Sequence, residues 1–176
     1  MSNYKIVVTG PFNSGKTQFI KTISDIDVVS TERKITTEDR GIKGETTVAM
    51  DYGRATLEGD TLYLYGTPGQ TRFDFMREIL SSEMDAFIVL VDASDTPSFP
   101  EAAELITQFG TFTPVPHILV GNKMDLDDAA SLTEIRRGTK VSGDITVMPC
   151  VATQKSSVRQ VLLQMLQLLK HENAAS

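Results

Sequence analysis

"YKIVVTGPFNSGKT", residues 4–17, decides the fold. A β-branched apolar run breaks at Gly10 and gives way to Gly15-Lys16-Thr17. Residues 10–17 match G-x-x-x-x-G-K-[ST] at every defined position. Glycines let such a loop wrap its backbone N–H groups around an anion. The stretch that follows, "GKTQFIKTIS", predicts a helix whose N-terminal dipole points at the same anion. Gly10, Asn13, Ser14, Gly15, Lys16, Thr17 and Gln18 are therefore the expected phosphate cradle of a nucleotide. Lys16 is expected to bridge the β- and γ-phosphates, and Thr17 Oγ to bind Mg²⁺.

Outward from this loop the same grammar repeats. "DAFIVLVDAS", "PHILVGNK" and "ITVMPCVA" are short apolar runs of the kind buried in parallel sheets. "TTVAMDYGRATL" alternates apolar and polar residues, as a half-exposed strand does, and "DTLYLYG" pairs with it across a turn at Gly59 and Asp60. Helical patterns lie between the runs. The clearest is "SSVRQVLLQMLQLLK", with Val158, Val161, Leu162, Met165 and Leu169 on one stripe that Leu163 and Leu166 broaden, toward core or a partner surface. Strand and helix alternate, so the class is α/β. The expectation is one domain over residues 1–176: a mostly parallel six-stranded sheet, one antiparallel edge strand, and helices on both faces. The longest stretch without pattern, "DIDVVSTERKITTEDRGIKGE" (residues 25–45), reads as a functional or mobile loop.

Bulk properties narrow the classes. The 176 residues suffice for one domain with a sizeable core. A net charge of −6 and a pI near 4.9 argue against nucleic acid as the main partner, because phosphate backbones need a basic surface. Cys150 is the one cysteine, so no intrachain disulfide forms, and a cytoplasmic location is expected. No apolar stretch approaches the roughly 20 residues of a membrane span. The start lacks a signal-peptide pattern, Ser2 stands where myristoylation needs glycine, and "HENAAS" offers no cysteine for prenylation, so no intrinsic membrane anchor is expected. His117 reads as a core histidine and Cys150 as core; two isolated histidines and one cysteine make no transition-metal site.

The phosphate loop alone does not choose a base. "LVGNKMD" ends a predicted strand, where open α/β sheets bind ligands. Guanine N1–H and its 2-amino group are adjacent donors, and one carboxylate, Asp125, can accept both; adenine lacks the pair. Asn122 is expected to tie this loop to the phosphate loop, and Lys123 to lay its stem along the base. With these residues in place the chain resembles the Ras-like small GTPases over nearly its whole length, which implies a P-loop NTPase fold of the small G-domain type, GTP and GDP as ligands, and Mg²⁺. "PCVATQKSSV" resembles the third base-binding loop, usually Ser-Ala-Lys and here Val151-Ala152-Thr153; the resemblance implies that the Ala152 N–H meets guanine O6. Aligning "TVAMDY" with the Thr-Ile-Gly-Val-Asp-Phe of Rab-like members selects Thr47 as the switch threonine that completes Mg²⁺ and touches the γ-phosphate, with Thr46 as the alternative. Both also suit a plain strand.

The family's second switch reads Asp-x-x-Gly-Gln, whereas this chain has Gly66-Thr67-Pro68-Gly69-Gln70. Two prokaryotic branches are similar here, the Mgl-type polarity GTPases, which carry Pro-Gly-Gln without that aspartate, and the SRP-receptor-β-like bacterial proteins. Gly69 is implied to offer its N–H to the γ-phosphate, and Gln70 to orient the attacking water. A lost outer partner of Mg²⁺ costs roughly 10–100-fold in affinity or activity without removing the metal. Asp92 is the candidate replacement, or else a cap or turn residue before "ASDTPSF". Arg40, Arg54 and Arg72 read as surface arginines and none is assigned to catalysis.

The expected function is a Mg²⁺-dependent GTPase switch, with switch segments at about residues 25–47 and 67–76, slow intrinsic turnover, and a regulatory or effector protein as partner. The Mgl-type resemblance implies a roadblock-fold GTPase-activating partner. Two rivals remain: a nucleotide-loaded scaffold that does not hydrolyse, and an ATP-using P-loop enzyme, against which Asn122 and Asp125 argue.

Overall fold

A computed structural model of the chain describes residues 1–39, 42–67, 84–112 and 114–175; for residues 30–39, 42–49, 111–112 and 174–175 it describes the backbone course alone. The strands are β1 (Asn3–Thr9), β2 (Val29–Asp39), β3 (Ile42–Leu57), β4 (Asp60–Gly66), β5 (Ala86–Asp92), β6 (His117–Asn122) and β7 (Thr146–Pro149). The helices are α1 (Lys16–Ile23), α2 (Phe99–Phe112, entered through a 3₁₀ turn at Thr96–Ser98), α3 (Leu132–Thr139) and α4 (Lys155–Ala175).

One sheet runs in the order β2-β3-β4-β1-β5-β6-β7. β4, β1, β5, β6 and β7 are parallel, and β3 is antiparallel to β4. The expected five parallel strands and one antiparallel strand are therefore present. A seventh strand, β2, lies antiparallel to β3 and forms the outer edge, so β3 is not the edge. β2 and the start of β3 occupy the stretch read as a loop. Its signal was β-branched content, with Val28, Val29, Thr31, Ile35, Thr36 and Thr37, which the interspersed charges hid.

The parallel strands are apolar on both sides because both sides are covered. Ile6, Val8, Ile88 and Leu90 point into one core with Phe19, Ile20 and Ile23 of α1 and Val158, Leu162 and Met165 of α4. Val7, Phe87, Val89 and Val91 point into the other, with Phe99, Leu105 and Phe109 of α2 and Ile135 of α3. The broad α4 stripe is core: Leu166 is buried, and Leu163 packs against the same cluster. Cys150 is buried, and burial pushes its thiol pKa up. His117 is half-buried at the start of β6 with its ring stacked on Phe87.

β1 has β4 on one side and β5 on the other, so the chain reverses its direction of winding there. Open α/β sheets bind ligands at such a point, beyond the carboxyl ends of the strands. Residues 10–15 leave β1 at that position, with the ends of β4, β5 and β6 beside them.

Candidate functional site

The loop after β1 is shaped by two glycines that no other residue replaces. Gly10 has φ 153°, and a Cβ there would lie 2.2 Å from the Leu90 carbonyl oxygen. Gly15 has φ 102°, and its Cβ would lie 2.2 Å from Asn122 Nδ2. Asn13 also takes a left-handed φ of 66°. Between them the Lys16 side chain folds over the loop, its Nζ donating to the carbonyls of Gly10 (2.7 Å) and Pro11 (3.0 Å). Burial pulls the Lys16 pKa down to about 8, opposed by the negative charges of Glu101 and Asp51. A buried ammonium ringed by backbone is a strong anion site. The Ser14 hydroxyl is buried in the same loop with no hydrogen-bond partner among the described residues.

Asn122, at the end of β6, joins three segments. Its Nδ2 donates to the Ser14 carbonyl at 2.9 Å, and its Oδ1 accepts from the Ala152 N–H at 3.0 Å. The expected tie from this loop to the phosphate loop is thus present. The Ala152 N–H, expected to meet guanine O6, donates here to the buried Asn122 amide oxygen, which requires a donor. Lys123, at φ 62°, donates to the Asn13 carbonyl at 3.0 Å and pairs with Asp92 at 2.9 Å. A cavity of about 240 Å³ is lined by Gly15, Gln18, Asn122, Lys123, Asp125 and Ala152, among others. Its Asp125 carboxylate is exposed at the rim. Gln18 Nε2 donates to Thr22 Oγ1, whose hydroxyl donates in turn to the Ala152 carbonyl.

Of its two expected roles, Asp92 takes that of a turn residue at the end of β5. Its Oδ1 accepts from the Ser94 N–H and hydroxyl, and its Oδ2 pairs with Lys123. Burial alone would raise its pKa; the Ser94 and Lys123 hydrogen bonds and the Lys123 charge outweigh that and hold it below the usual carboxylate range. Asp92 is a turn residue and an ion-pair partner, and is not the carboxylate beside Thr17.

That carboxylate is Asp51. Thr17 Oγ1 donates to Asp51 Oδ2 at 2.5 Å. Asp51 lies on β3 directly across from Gly66 in the ladder with β4. The sequence reading missed it, although it stands four residues past Thr47 in the quoted "TVAMDY". Two hard oxygen donors so close fit Mg²⁺, which takes few protein ligands and fills the rest from phosphates and water. Among the described residues no three His, Cys, Asp or Glu side chains group to cage a metal. Thr67, just past β4, is buried and anchored, its N–H on the Val8 carbonyl and its hydroxyl on Thr9 Oγ1. Gly69 and Gln70 lie outside the described residues, as do Arg40 and Arg72. The side chains of Thr46 and Thr47 lie outside them too; the Thr47 backbone pairs with Lys34.

The Ras family model matches residues 5–171. The chain belongs to the Ras family. An uncharacterized protein of Methanocaldococcus jannaschii is 33% identical over 124 residues, 70% of this chain and 72% of that one. The Ras-like protein RAS2 of Hydra vulgaris is 28% identical over 190 residues, covering 98% and 88%. The Ras and EF-hand domain-containing protein homolog of Mus musculus is 30% identical over 131 residues, 71% of this chain but 19% of that protein. Ras-family proteins bind GTP and GDP, usually with Mg²⁺, and hydrolyse GTP. Among the described residues no helix is long and apolar enough to cross a membrane.

Proposed function

We propose that this chain is a single G-domain that works as a Mg²⁺-dependent GTP switch with slow intrinsic turnover, regulated by a partner protein. The observation that carries the reading is the Asn122 bridge. It holds the phosphate loop at Ser14 and the loop at Ala152 around one cavity whose rim carries Asp125. A nucleotide lying across this bridge would put its phosphates against Lys16 and its base in the cavity. Asp125 would accept from guanine N1–H and the 2-amino group, and the Lys123 stem, stretched from its backbone to Asn13, would flank the base. Thr17 Oγ would hold Mg²⁺, with Thr47 as the second protein ligand; when bound, the metal neutralises phosphate charge. Gln70 would orient the attacking water and Lys16 would steady the charge that develops on the phosphates. Gly69 would touch the γ-phosphate.

The switch segments are residues 25–47 and about 67–76. GTP would hold them through Thr47 and Gly69, and hydrolysis would release them. No arginine is assigned to the transition state, which is the reason for slow turnover and for an activating partner. The Pro-Gly-Gln loop without aspartate supports a prokaryotic branch of the Mgl or SRP-receptor-β type, and with the former a roadblock-fold partner. The likeness to the archaeal protein fits a prokaryotic branch. A cytoplasmic location goes with this reading. Glycine at position 66 favours one other reading, a loaded scaffold that does not hydrolyse, and single-turnover GTP hydrolysis separates the two.

Asp125→Asn tests the base site. The amide exchanges an acceptor pair for one acceptor and one donor, and its NH₂ then faces guanine's donors. Guanine-nucleotide affinity should fall by more than about tenfold, roughly 1.4 kcal/mol, while xanthine-nucleotide affinity rises. A variant that keeps the wild-type guanine preference in calorimetry would remove Asp125 from the base site.

A further inference from the structure

We infer that Asp51, reaching across from β3, is the acidic partner of the Thr17 hydroxyl at the Mg²⁺ site and stands in for the side chain absent at Gly66. The inference rests on the reading of Thr17 as a Mg²⁺ ligand. Asp51 acts through Thr17 and the metal's own waters, so it is a positioning residue.

Three observations converge on it. The first is the hydrogen bond from Thr17 Oγ1 to Asp51 Oδ2 at 2.5 Å. A hydroxyl that donates its hydrogen bond to a carboxylate keeps its lone pairs for a cation and presents them with added electron density. The second is the ladder. Asp51 is the partner of Gly66, so the two positions share one face of the sheet, the face that α1 covers. A Cβ built at Gly66 would lie 3.4 Å from Asp51 Cβ. The carboxylate therefore reaches the Thr17 hydroxyl from one strand over, on the face where a side chain at 66 would stand. The third is room. That same Cβ would lie 2.9 Å from Ile20 Cδ1, and Gly66 does not adopt a left-handed φ. A side chain at 66 is therefore limited by space, since Ile20 Cδ1 would have to move aside, and not by backbone conformation. The absent side chain and the carboxylate opposite are two halves of one arrangement.

A purely structural role for Asp51 has a physical basis as well. α1 has no acidic residue in its first turn and no side-chain cap, and a carboxylate near a helix N-terminus is favourable. The two roles differ in what they do to metal binding.

The test uses the full chain loaded with a fluorescent GDP derivative. Its release is followed while Mg²⁺ is titrated and again in EDTA, and Mn²⁺ affinity of the GDP complex is read by electron paramagnetic resonance. Asp51→Asn keeps the shape of the side chain and loses the charge. The Mg²⁺ midpoint and the Mn²⁺ dissociation constant should rise by about 10–100-fold, with release in EDTA unchanged. A swap variant carries Asp51→Asn, Gly66→Asp and Ile20→Val, the last removing the methyl that the introduced carboxylate would meet; it should regain Mn²⁺ affinity. Asp51→Asn with wild-type Mn²⁺ affinity overturns the inference. So does faster release by the same factor in EDTA and in Mg²⁺, which marks a structural role. A folded swap variant that binds Mn²⁺ no better than Asp51→Asn also overturns it. Wild-type release that ignores Mg²⁺ altogether overturns the underlying reading of Thr17 as well, so the two failures are told apart.

Discussion

Lys16 carries a proton linkage that can be read directly. Burial holds its pKa at about 8 instead of 10.5. Below about pH 8 it is protonated in both folded and unfolded chains, and the cost of burying the charge is fully present. As pH rises from 8 toward 10.5 the folded chain releases its proton first, so the unliganded protein gains stability in that window. Phosphates beside the ammonium would raise its pKa again. GDP binding at about pH 9 should therefore take up a proton, and affinity should decline as pH climbs through 8. Calorimetry in two buffers of different ionisation enthalpy measures the uptake, which should vanish in Lys16→Met. Gly66 gives a second expectation at this scale. Gly66→Asp alone should not tighten Mg²⁺ binding, because its carboxylate would crowd Ile20 and face Asp51 across the ladder, where like charges repel. A Mg²⁺ titration of GTP binding in that variant checks it; a lower Mg²⁺ requirement would mean that the site still lacks an acceptor.

Among the elements, the phosphate loop and β6 act as one piece through Gly15 and Asn122. Gly15→Ala places a methyl where Asn122 Nδ2 sits and forces alanine into a left-handed φ. The buried bond to the Ser14 carbonyl should break, at a cost of at least about 2 kcal/mol with the strain included. For a chain of this size that lowers Tm by about 4–8 °C. Nucleotide affinity should fall as well, because the Ala152 loop loses its anchor. Thermal unfolding with and without GDP reads both effects. These contacts were legible in sequence because both motifs have fixed spacing and follow strands. The hairpin shows where legibility stopped. Its turn is Glu58-Gly59, with Leu57 paired to Asp60 and φ of 51° and 84° at the two turn residues. The sequence reading placed the turn one residue later, at Gly59 and Asp60. Counting back from that turn pairs Gly66 with Gly53, whereas the true register pairs it with Asp51. A glycine suits either place in such a turn. One residue of turn placement thus moves Asp51 out from opposite Gly66, while Asp92, on the strand at the other side of β1, is held by Ser94 and Lys123.

Across the molecule, the order β2-β3-β4-β1-β5-β6-β7 gathers the site from segments more than a hundred residues apart. Residues 10–17 leave β1, Asn122 ends β6 and Lys123 to Asp125 follow it, Ala152 follows β7, and Asp51 lies on β3. Parallel packing makes the inner strands legible: two-sided burial writes continuous apolar runs that need few other signals. β2 was not legible, because an outer strand is covered on fewer sides and its charged residues resemble those of a loop. All of these roles depend on one property of the whole chain, selective retention of guanine nucleotide. Purified protein is incubated with GTP and ATP together in Mg²⁺, freed of unbound ligand and denatured, and the released nucleotide is identified by chromatography and mass. The account predicts GTP and its product GDP, with adenine nucleotides at background. Adenine nucleotide in the released pool, or no nucleotide at all, would contradict it.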